Sequence, residues 1–157
     1  MDGTGDICVR IARPGDREEL ARLRAALWPE SSVEEHAKEL LWILESKTFG
    51  TMPLIELVAE DGSGKLIGFL EVGLRSHADG CDPAHAVGYV EGWYVAESYR
   101  KRGIGRRLLV VAEDWARRQG CVEMASDALV GNDVSQRAHE ALGYAEVDRC
   151  VRYRKTL

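Results

Sequence analysis

Long apolar runs, paired cysteine motifs and an excess of basic residues are all missing from this chain of 157 residues. No apolar run approaches the roughly 20 residues of a membrane-spanning helix, so we expect no membrane partner. Residues 1–6 have neither the basic nor the apolar segment of a secretory signal. The net charge of −5 argues against nucleic acid as a partner, because phosphates attract a basic surface.

The four cysteines, at positions 8, 81, 121 and 150, show neither C-x-x-C spacing nor a metal-ligand pattern. We therefore expect no metal, and buried or half-buried free thiols in a reducing cytoplasm. A chain of this length with 45% hydrophobic residues can form one domain, residues 1–157, without a disulfide or metal to stabilise it. Its acidic balance is compatible with a cationic substrate.

Hydrophobic periodicity predicts an α/β (α+β) chain in which strands and helices alternate. Capping and turn signals mark most boundaries; Ser32 and Glu35, for example, have capping-box spacing. The predicted strands are 7–12, 54–60, 65–75, 87–95, 121–126, 144–149 and 151–155, and the predicted helices are 14–28, 33–44, 103–118 and 134–142.

The most informative stretch joins the predicted strand that ends at Val95 to the amphipathic helix that follows it. Arg100-x-x-Gly103-x-Gly105 opens that helix, and its first backbone N–H groups have no acceptor within the helix. Glycines let a pyrophosphate approach these donors, and nearby basic side chains add positive charge. The pattern predicts a phosphate-binding loop. An ordinary basic helix start is the alternative, whereas a dinucleotide loop would need a third glycine.

The positions of Arg100, Gly103 and Gly105 resemble the acetyl-coenzyme A loop of the GCN5-related N-acetyltransferases (GNAT), and the order of predicted elements is similar to theirs. This resemblance implies a mixed, mostly antiparallel sheet of seven strands, splayed at its centre and flanked by about four helices.

Several further segments bring a closer resemblance, to the aminoglycoside 6′-N-acetyltransferases; they are Leu27-Trp28-Pro29, Gly80-Cys81-Asp82, Val90-Glu91-Gly92, residues 123–127, residues 132–144 and Tyr153-Arg154-Lys155. The resemblance implies acetyl transfer from acetyl-CoA to the 6′-amine of an aminoglycoside by direct attack, which confers antibiotic resistance. It also implies a homodimer, since relatives are often dimers.

Two carboxylates are the candidate bases for this reaction, because an ammonium group must lose a proton before it attacks a thioester. Glu91 lies within the apolar central strand and Asp127 follows the next strand. The ends of these two strands should be neighbours in a splayed sheet. Asp127 is the first candidate and Glu91 the second. The alternatives are a structural carboxylate paired with an arginine or loop amide at Glu91, and a helix or turn cap at Asp127.

The resemblance implies aminoglycoside contacts at Trp28, Glu91, Asp127 and Asp148, although Trp28 is equally explained as a core residue and relatives carry Glu in place of Asp148. The implied coenzyme contacts are Trp93, Tyr94, Val95, Arg100, Lys101, Arg102, Gly103, Ile104, Gly105, Arg106, Asn132 and His139. His139 stands where many GNAT enzymes have a tyrosine that protonates the leaving thiolate; packing or solvation is its alternative role.

Two rival functions are open at this point. The chain could acetylate another amine, such as a polyamine or a protein N-terminus, because an acidic pocket suits those acceptors too. It could also be a non-catalytic acetyl-CoA-binding module that regulates a partner.

Overall fold

The computed structural model describes residues 6–157, so residues 1–5, most of the segment that lacks a signal pattern, lie outside it. The described part contains six strands and four α-helices. The strands are β1 (Cys8–Ile11), β2 (Thr48–Phe49), β3 (Met52–Glu60), β4 (Leu66–Arg75), β5 (Val87–Val95) and β6 (Met124–Ser126); the helices are α1 (Arg17–Leu27), α2 (Val33–Ser46), α3 (Ile104–Arg118) and α4 (Asp133–Ala141).

All six strands join in one sheet with the order β1-β3-β4-β5-β6, and β2 extends the edge of β3. Every pairing is antiparallel except that of β5 with β6, which is parallel and covers only Gly88, Tyr89 and Val90. The two strands separate beyond Val90. This geometry confirms the predicted mixed sheet that splays at its centre.

Helices cover both faces of the sheet because neighbouring residues of each strand point to opposite sides. Val58 and Phe69 pack with α1 and α2, whereas Leu57 and Leu70 pack with α3. The two resulting cores fix β5 between the helical layers. Within residues 6–157, no helix combines the length and apolar character needed to span a bilayer.

The local signals at the helix ends are largely confirmed. Ser32 Oγ accepts a hydrogen bond from Glu35 N–H at 3.1 Å, and the Glu35 carboxylate accepts one from Ser32 N–H at 2.7 Å. Gly120 follows α3 with φ of 89°, the left-handed conformation expected of a glycine beyond a helix end. Residues Pro14–Asp16 form a short 3-10 turn, and α1 begins only at Arg17.

The two final predicted strands, 144–149 and 151–155, are wrong for the single chain, since residues 145–157 form neither helix nor strand. Their alternating apolar residues are present, but Val151 and Tyr153 remain 75% and 93% exposed. A strand forms only where another strand supplies hydrogen-bond partners. Within the described residues, this segment finds no such edge in its own chain.

The cysteine prediction is confirmed only in part. All four cysteines lie in the described part of the chain and are free thiols. Cys121 is buried and Cys81 half-buried, whereas Cys8 and Cys150 are exposed. The expectation of burial fails for the last two because each lies near an end of the chain, outside the packed cores.

Candidate active site

The loop between β5 and α3 presents backbone donors at the start of a helix. Gly103 has φ of 75° and Lys101 φ of 60°, so the chain turns sharply before Ile104. The first helical bond runs from Arg107 N–H to Gly103 O at 3.1 Å, which leaves the N–H groups of residues 104–106 without an acceptor in the helix. Space is open at Gly103, where an added Cβ would meet no atom within 4 Å. These features suit a phosphate group.

Arg100 and Trp93 fasten this loop to the end of β5. Arg100 Nε donates a hydrogen bond to Val95 O at 2.8 Å, and its guanidinium lies 5.6 Å from the ring centre of Tyr94. Trp93 Nε1 donates to Gly105 O at 3.2 Å, and an added Cβ on Gly105 would come within 3.2 Å of the indole. The strand end and helix start are therefore held as one unit.

A β-bulge lies at Glu91, where the sheet begins to splay. Glu71 of β4 is opposite Gly92, and Val72 is opposite Val90, so among the described residues Glu91 has no register partner on β4. A bulge inserts one residue and changes the direction in which the following side chains point. It places Gly92 toward α1, where its α-carbon faces Trp28, while Trp93 points to α3.

Four side chains, from the end of β4, the middle of β5 and the residue after β6, form a partly exposed cluster beside the bulge. Arg75 donates from Nε to Glu91 Oε1 at 2.8 Å and from Nη2 to Glu91 Oε2 at 2.7 Å. The guanidinium carbon of Arg75 lies 3.5 Å from the ring centre of Tyr89, whose hydroxyl donates to Asp127 Oδ2 at 2.8 Å. The two predicted acidic residues are thus parts of one cluster, linked by Arg75 and Tyr89.

Electrostatics within this cluster follow from that geometry. The hydrogen bonds to Glu91 raise the pKa of Arg75, so the guanidinium stays charged. Burial, together with the hydrogen bond to Asp127, raises the pKa of Tyr89, so its hydroxyl remains a donor at neutral pH. Asp127 also lies 3.6 Å from Arg152 of the C-terminal segment. Sequence reasoning missed Arg75 and Tyr89; the available signal was that Tyr89 lies two residues before Glu91 on β5 and that Arg75 ends the preceding strand, β4.

Trp28, at the end of α1, packs against the bulge. An added Cβ on Gly92 would lie 2.4 Å from the Trp28 ring, so glycine is required for this contact. The indole meets Phe69 edge-on at 5.8 Å and lies 4.9 Å from the Arg24 guanidinium. Its half-buried ring therefore borders both the core and the cluster at Glu91.

A second charged cluster lies buried behind Trp28, and sequence reasoning missed it. Arg24 of α1 forms ion pairs with Glu56 and Glu71, which face each other on β3 and β4. Arg24 also contacts Glu39 at 2.5 Å, and its Nε lies 3.5 Å from His36 Nδ1. Burial and the neighbouring Glu71 raise the pKa of Glu56 well above its ordinary value, whereas the Arg24 guanidinium opposes this rise.

His139 and Asn132 lie on and before α4, close to the point where β5 and β6 separate. His139 Nδ1 lies 2.7 Å from the carbonyl oxygen of Ser135 and therefore carries the proton, because a carbonyl only accepts. In the neutral ring, Nε2 then accepts from Ser126 Oγ at 2.8 Å. The imidazole meets Trp93 edge-on at 5.3 Å. Asn132 Oδ1 accepts from Ser135 N–H and caps α4.

A cleft of about 1270 Å³ lies between β6, α4 and the C-terminal segment. Asp127 and His139 line it, as do Arg75 and Tyr89. Asp148 lines it from the C-terminal segment, where its side chain accepts a hydrogen bond from Arg149 N–H at 2.7 Å. The geometry thus links Glu91 to Asp127 through Arg75 and Tyr89, and it places Trp28 against Gly92, the residue after Glu91. The loop at 100–106 is grouped with Trp93, and Asp148 shares the cleft with Asp127.

Comparisons with known proteins agree with this arrangement. The family model described as "Acetyltransferase (GNAT) family" matches residues 17–144 of the chain. A relative from Serratia marcescens, named Aminoglycoside N(6')-acetyltransferase type 1, is 43% identical over 136 residues, which make up 86% of this chain and 89% of the relative. A relative of the same name from Klebsiella aerogenes is 37% identical over 149 residues, or 95% of this chain and 96% of the relative.

Solved structures give the same result. AAC(6')-Iy in complex with the bisubstrate analog CoA-S-monomethyl-acetylneamine superposes with a TM-score of 0.86 at 32% identity, covering 98% of this chain and 100% of the other. The aminoglycoside antibiotic 6'-N-acetyltransferase AAC(6')-Ih from Acinetobacter baumannii has a TM-score of 0.83 at 28% identity, with coverage of 96% and 99%.

Proposed function

Because this chain belongs to the acetyltransferase (GNAT) family, we propose that it transfers the acetyl group of acetyl-CoA to the 6′-amine of aminoglycosides and so confers resistance to them. The observation that carries this proposal is the cluster of Glu91, Asp127 and Tyr89 beside the splayed end of β5. Carboxylates and an aromatic ring suit a polycationic sugar. The names of the similar proteins agree with that substrate class.

Acetyl-CoA supplies a thioester carbonyl as the electrophile. The residues present fit this co-substrate, since the N–H groups of residues 104–106 face the open space at Gly103 and suit its pyrophosphate. Arg100, Lys101, Arg102 and Arg106 add positive charge to the same loop. The backbone of Trp93, Tyr94 and Val95 lies beyond the end of the β6 pairing, where an extended chain can add to the strand.

Asp127 is the proposed general base and Glu91 the proposed electrostatic partner of the acceptor. Asp127 accepts a hydrogen bond from Tyr89 and is half open to solvent, so an incoming amine or a bridging water can reach its free oxygen. Both oxygens of Glu91 already accept from Arg75, and this makes Glu91 the weaker candidate for proton abstraction. A backbone N–H near Tyr94 or Val95 is the proposed oxyanion donor.

A thiol-release assay on the full chain tests the proposal, with kanamycin and tobramycin as acceptors and NMR of the product to locate the acetyl group. Turnover at the 6′-amine is expected. Spermidine and an N-terminal peptide serve as rival acceptors. Turnover of these alone would overturn the aminoglycoside assignment, and coenzyme binding without any acetylation would favour a regulatory module.

Asp127→Asn tests the base. It should lower kcat by about 10² to 10⁴, the usual contribution of a general base, while the Kd for acetyl-CoA measured by calorimetry stays near that of the wild type. Asp114→Asn on α3 is the matched control, since Asp114 is an exposed carboxylate paired with Arg117. Equal turnover in Asp127→Asn and the control would exclude Asp127 as the base.

We also propose a homodimer, supported by the C-terminal segment. Residues 145–157 are fully within the described part of the chain and expose a row of apolar side chains, among them Val147, Val151 and Tyr153. A second copy would supply strand edges and apolar surface for them. Light scattering should give twice the mass of one chain, and Tyr153→Asp should shift the equilibrium toward the monomer. A monomeric wild type would contradict this.

A cytoplasmic location, without nucleic acid or membrane as partner, completes the proposal. The free cysteines suit a reducing compartment, and the net charge of −5 disfavours a polyanion. Expression in a susceptible bacterial host should raise the kanamycin concentration needed to stop growth, and a cell fraction assay should recover the activity with soluble proteins.

A further inference from the structure

Arg75 occupies the part of the site that is chemically best suited to a cation. Its guanidinium lies against both oxygens of Glu91 and over the face of Tyr89, and Asp127 contributes to raising its pKa. A carboxylate fork above an aromatic ring is also the arrangement that binds an alkylammonium group, through charge-assisted hydrogen bonds and a cation–π contact.

The charges of the cluster already balance without a ligand. Arg75 and Arg152 offset Glu91 and Asp127. A polycationic acceptor that entered beside Arg75 would place its ammonium next to a guanidinium at half-buried depth, where like charges repel. The carboxylate of Glu91 becomes fully available to such an acceptor only when Arg75 moves away.

Arg75 is placed to make that movement. It is the last residue of β4, its side chain is 44% exposed, and the loop of residues 76–86 follows it. Its side-chain hydrogen bonds within the described residues go to Glu91 alone. Exposed ion pairs of this kind contribute little stability, so the exchange of one cation for another on Glu91 requires little free energy.

We propose that Arg75 is a displaceable internal counter-ion, which holds Glu91 and covers Tyr89 in the free enzyme and is expelled by an ammonium group of the acceptor. This inference rests on the proposed function. It makes Arg75 a specificity-determining residue: an acceptor binds well when its own ammonium replaces the guanidinium on Glu91, and a neutral group at that position does not compete.

Steady-state kinetics of Arg75→Gln with kanamycin and tobramycin test the inference. Loss of the competing cation should lower KM by about two- to fivefold, the range that corresponds to an exposed ion pair. Arg75→Lys retains a competing charge, and its KM should lie closer to that of the wild type. Arg17→Gln is the matched control, because it removes the same charge from an exposed ion pair, that of Arg17 with Glu18 on α1. The KM of this control variant should equal that of the wild type.

A double variant separates displacement from other roles. In a Glu91→Gln background, Arg75→Gln should bring no further decrease in KM, because the carboxylate for which the two cations compete is gone. An increase in KM in Arg75→Gln would overturn the inference, since it would mean that Arg75 binds the acceptor or must orient Glu91. A lower kcat with unchanged KM would overturn it as well.

NMR of the Arg75 Nε–H group provides a direct readout. Its signal in the free enzyme should be that of a hydrogen-bonded guanidinium, and saturating kanamycin should shift it toward that of solvent-exposed arginines. An unmoved signal would contradict displacement. If the wild type turns over no aminoglycoside, the proposed function fails; if it does and Arg75→Gln fails to lower KM, only the counter-ion inference fails.

Discussion

Two arginine–carboxylate clusters lie near Trp28 and differ chiefly in their access to water. The side chain of Arg24 is 4% exposed and that of Glu56 is fully buried, whereas the Arg75 and Glu91 side chains are 44% and 25% exposed. In the first cluster each charge depends on its partners, because no water replaces them. In the second, solvent or a ligand can take over from either partner. The same pairing chemistry can therefore hold the fold in one place and admit a substrate in the other.

Trp28 connects the two clusters. Its backbone carbonyl lies 3.1 Å from His36 Nε2, and its ring lies 4.9 Å from Arg24 on one side and against Gly92 on the other. The buried charges thus help to fix the indole that borders the half-exposed site. A change in the first cluster should appear as a loss of stability, and a change in the second as an altered KM.

Arg24→Met should produce the largest loss of stability. It leaves the carboxylates of Glu56 and Glu71 buried without their cation, and breaking a buried pair in this way costs about 3–5 kcal/mol. Urea denaturation followed by circular dichroism measures the free energy of unfolding. Arg17→Met on the same helix removes an exposed partner of Glu18 and should cost less than about 1 kcal/mol.

A compensated variant distinguishes charge from packing in that result. Arg24→Met combined with Glu56→Leu and Glu71→Leu removes the whole cluster, and apolar replacement of a buried ion network is often neutral or stabilising. Recovery of stability would attribute the loss to unpaired buried charge. A triple variant as unstable as Arg24→Met would show that the shape of the arginine side chain is what the core requires.

Gly92→Ala tests the contact that joins the clusters. The new methyl group would lie 2.4 Å from the Trp28 ring, so the indole must shift, and overpacking of this kind costs about 1–3 kcal/mol. KM for kanamycin should rise together with the loss of stability, because Trp28 and Glu91 both adjoin the bulge. Gly15→Ala is the control, since an added Cβ there meets no atom within 4 Å. An unchanged KM in Gly92→Ala would separate Trp28 from the acceptor site.

Local patterns predicted most of the fold. The strands at Cys8–Ile11 and Val87–Val95, the Ser32 cap and the helix after Gly103 all follow from periodicity and turn chemistry, which act between residues close in sequence. The short strand Thr48–Phe49 gave no such signal, because two residues show no periodicity. The last two strands were predicted from a valid alternation, but the edge they need is not supplied within the described chain.

The candidate site was less accessible to sequence reasoning because its contacts are remote in sequence. Glu91 stood out as a carboxylate within an apolar strand, and Asp127 as one that follows a strand. Their partners, Arg75 for Glu91 and Tyr89 for Asp127, depend on the register of β4, β5 and β6. The buried cluster is similar: Glu56 and Glu71 looked like isolated charges in apolar strands until β3–β4 pairing placed them face to face with Arg24.

Glu56→Gln should give a smaller and pH-dependent effect. Because its pKa is raised, Glu56 keeps its proton in the folded protein at pH values where the unfolded chain, with the ordinary pKa of 4.5, has released it. The contribution of Glu56 to stability therefore falls as the pH rises from 4.5 toward the folded-state pKa. Glutamine mimics the protonated acid and removes this fall. The variant should match the wild type near pH 4 and exceed it by about 1 kcal/mol at pH 8.

In urea titrations at both pH values, Glu35→Gln serves as the control for Glu56→Gln. Hydrogen bonds from Ser32 lower the pKa of Glu35, so the contribution of Glu35 to stability is present above its ordinary pKa and is lost in acid. This variant should therefore lose stability at pH 8, opposite in sign to Glu56→Gln. A Glu56→Gln variant that is less stable than wild type at pH 8 would mean that Glu56 is ionised in the fold.

The ion pair of Arg75 with Glu91 should contribute least to stability. A double-mutant cycle of Arg75→Gln and Glu91→Gln, followed by urea denaturation, should give a coupling energy between 0 and about 1 kcal/mol, because both groups keep access to water. Added salt should reduce the coupling further. A coupling above about 2 kcal/mol would place this pair energetically with the Arg24 cluster. A guanidinium held that firmly would not give way to an incoming ammonium group, and Arg75 would then be a fixed part of the site.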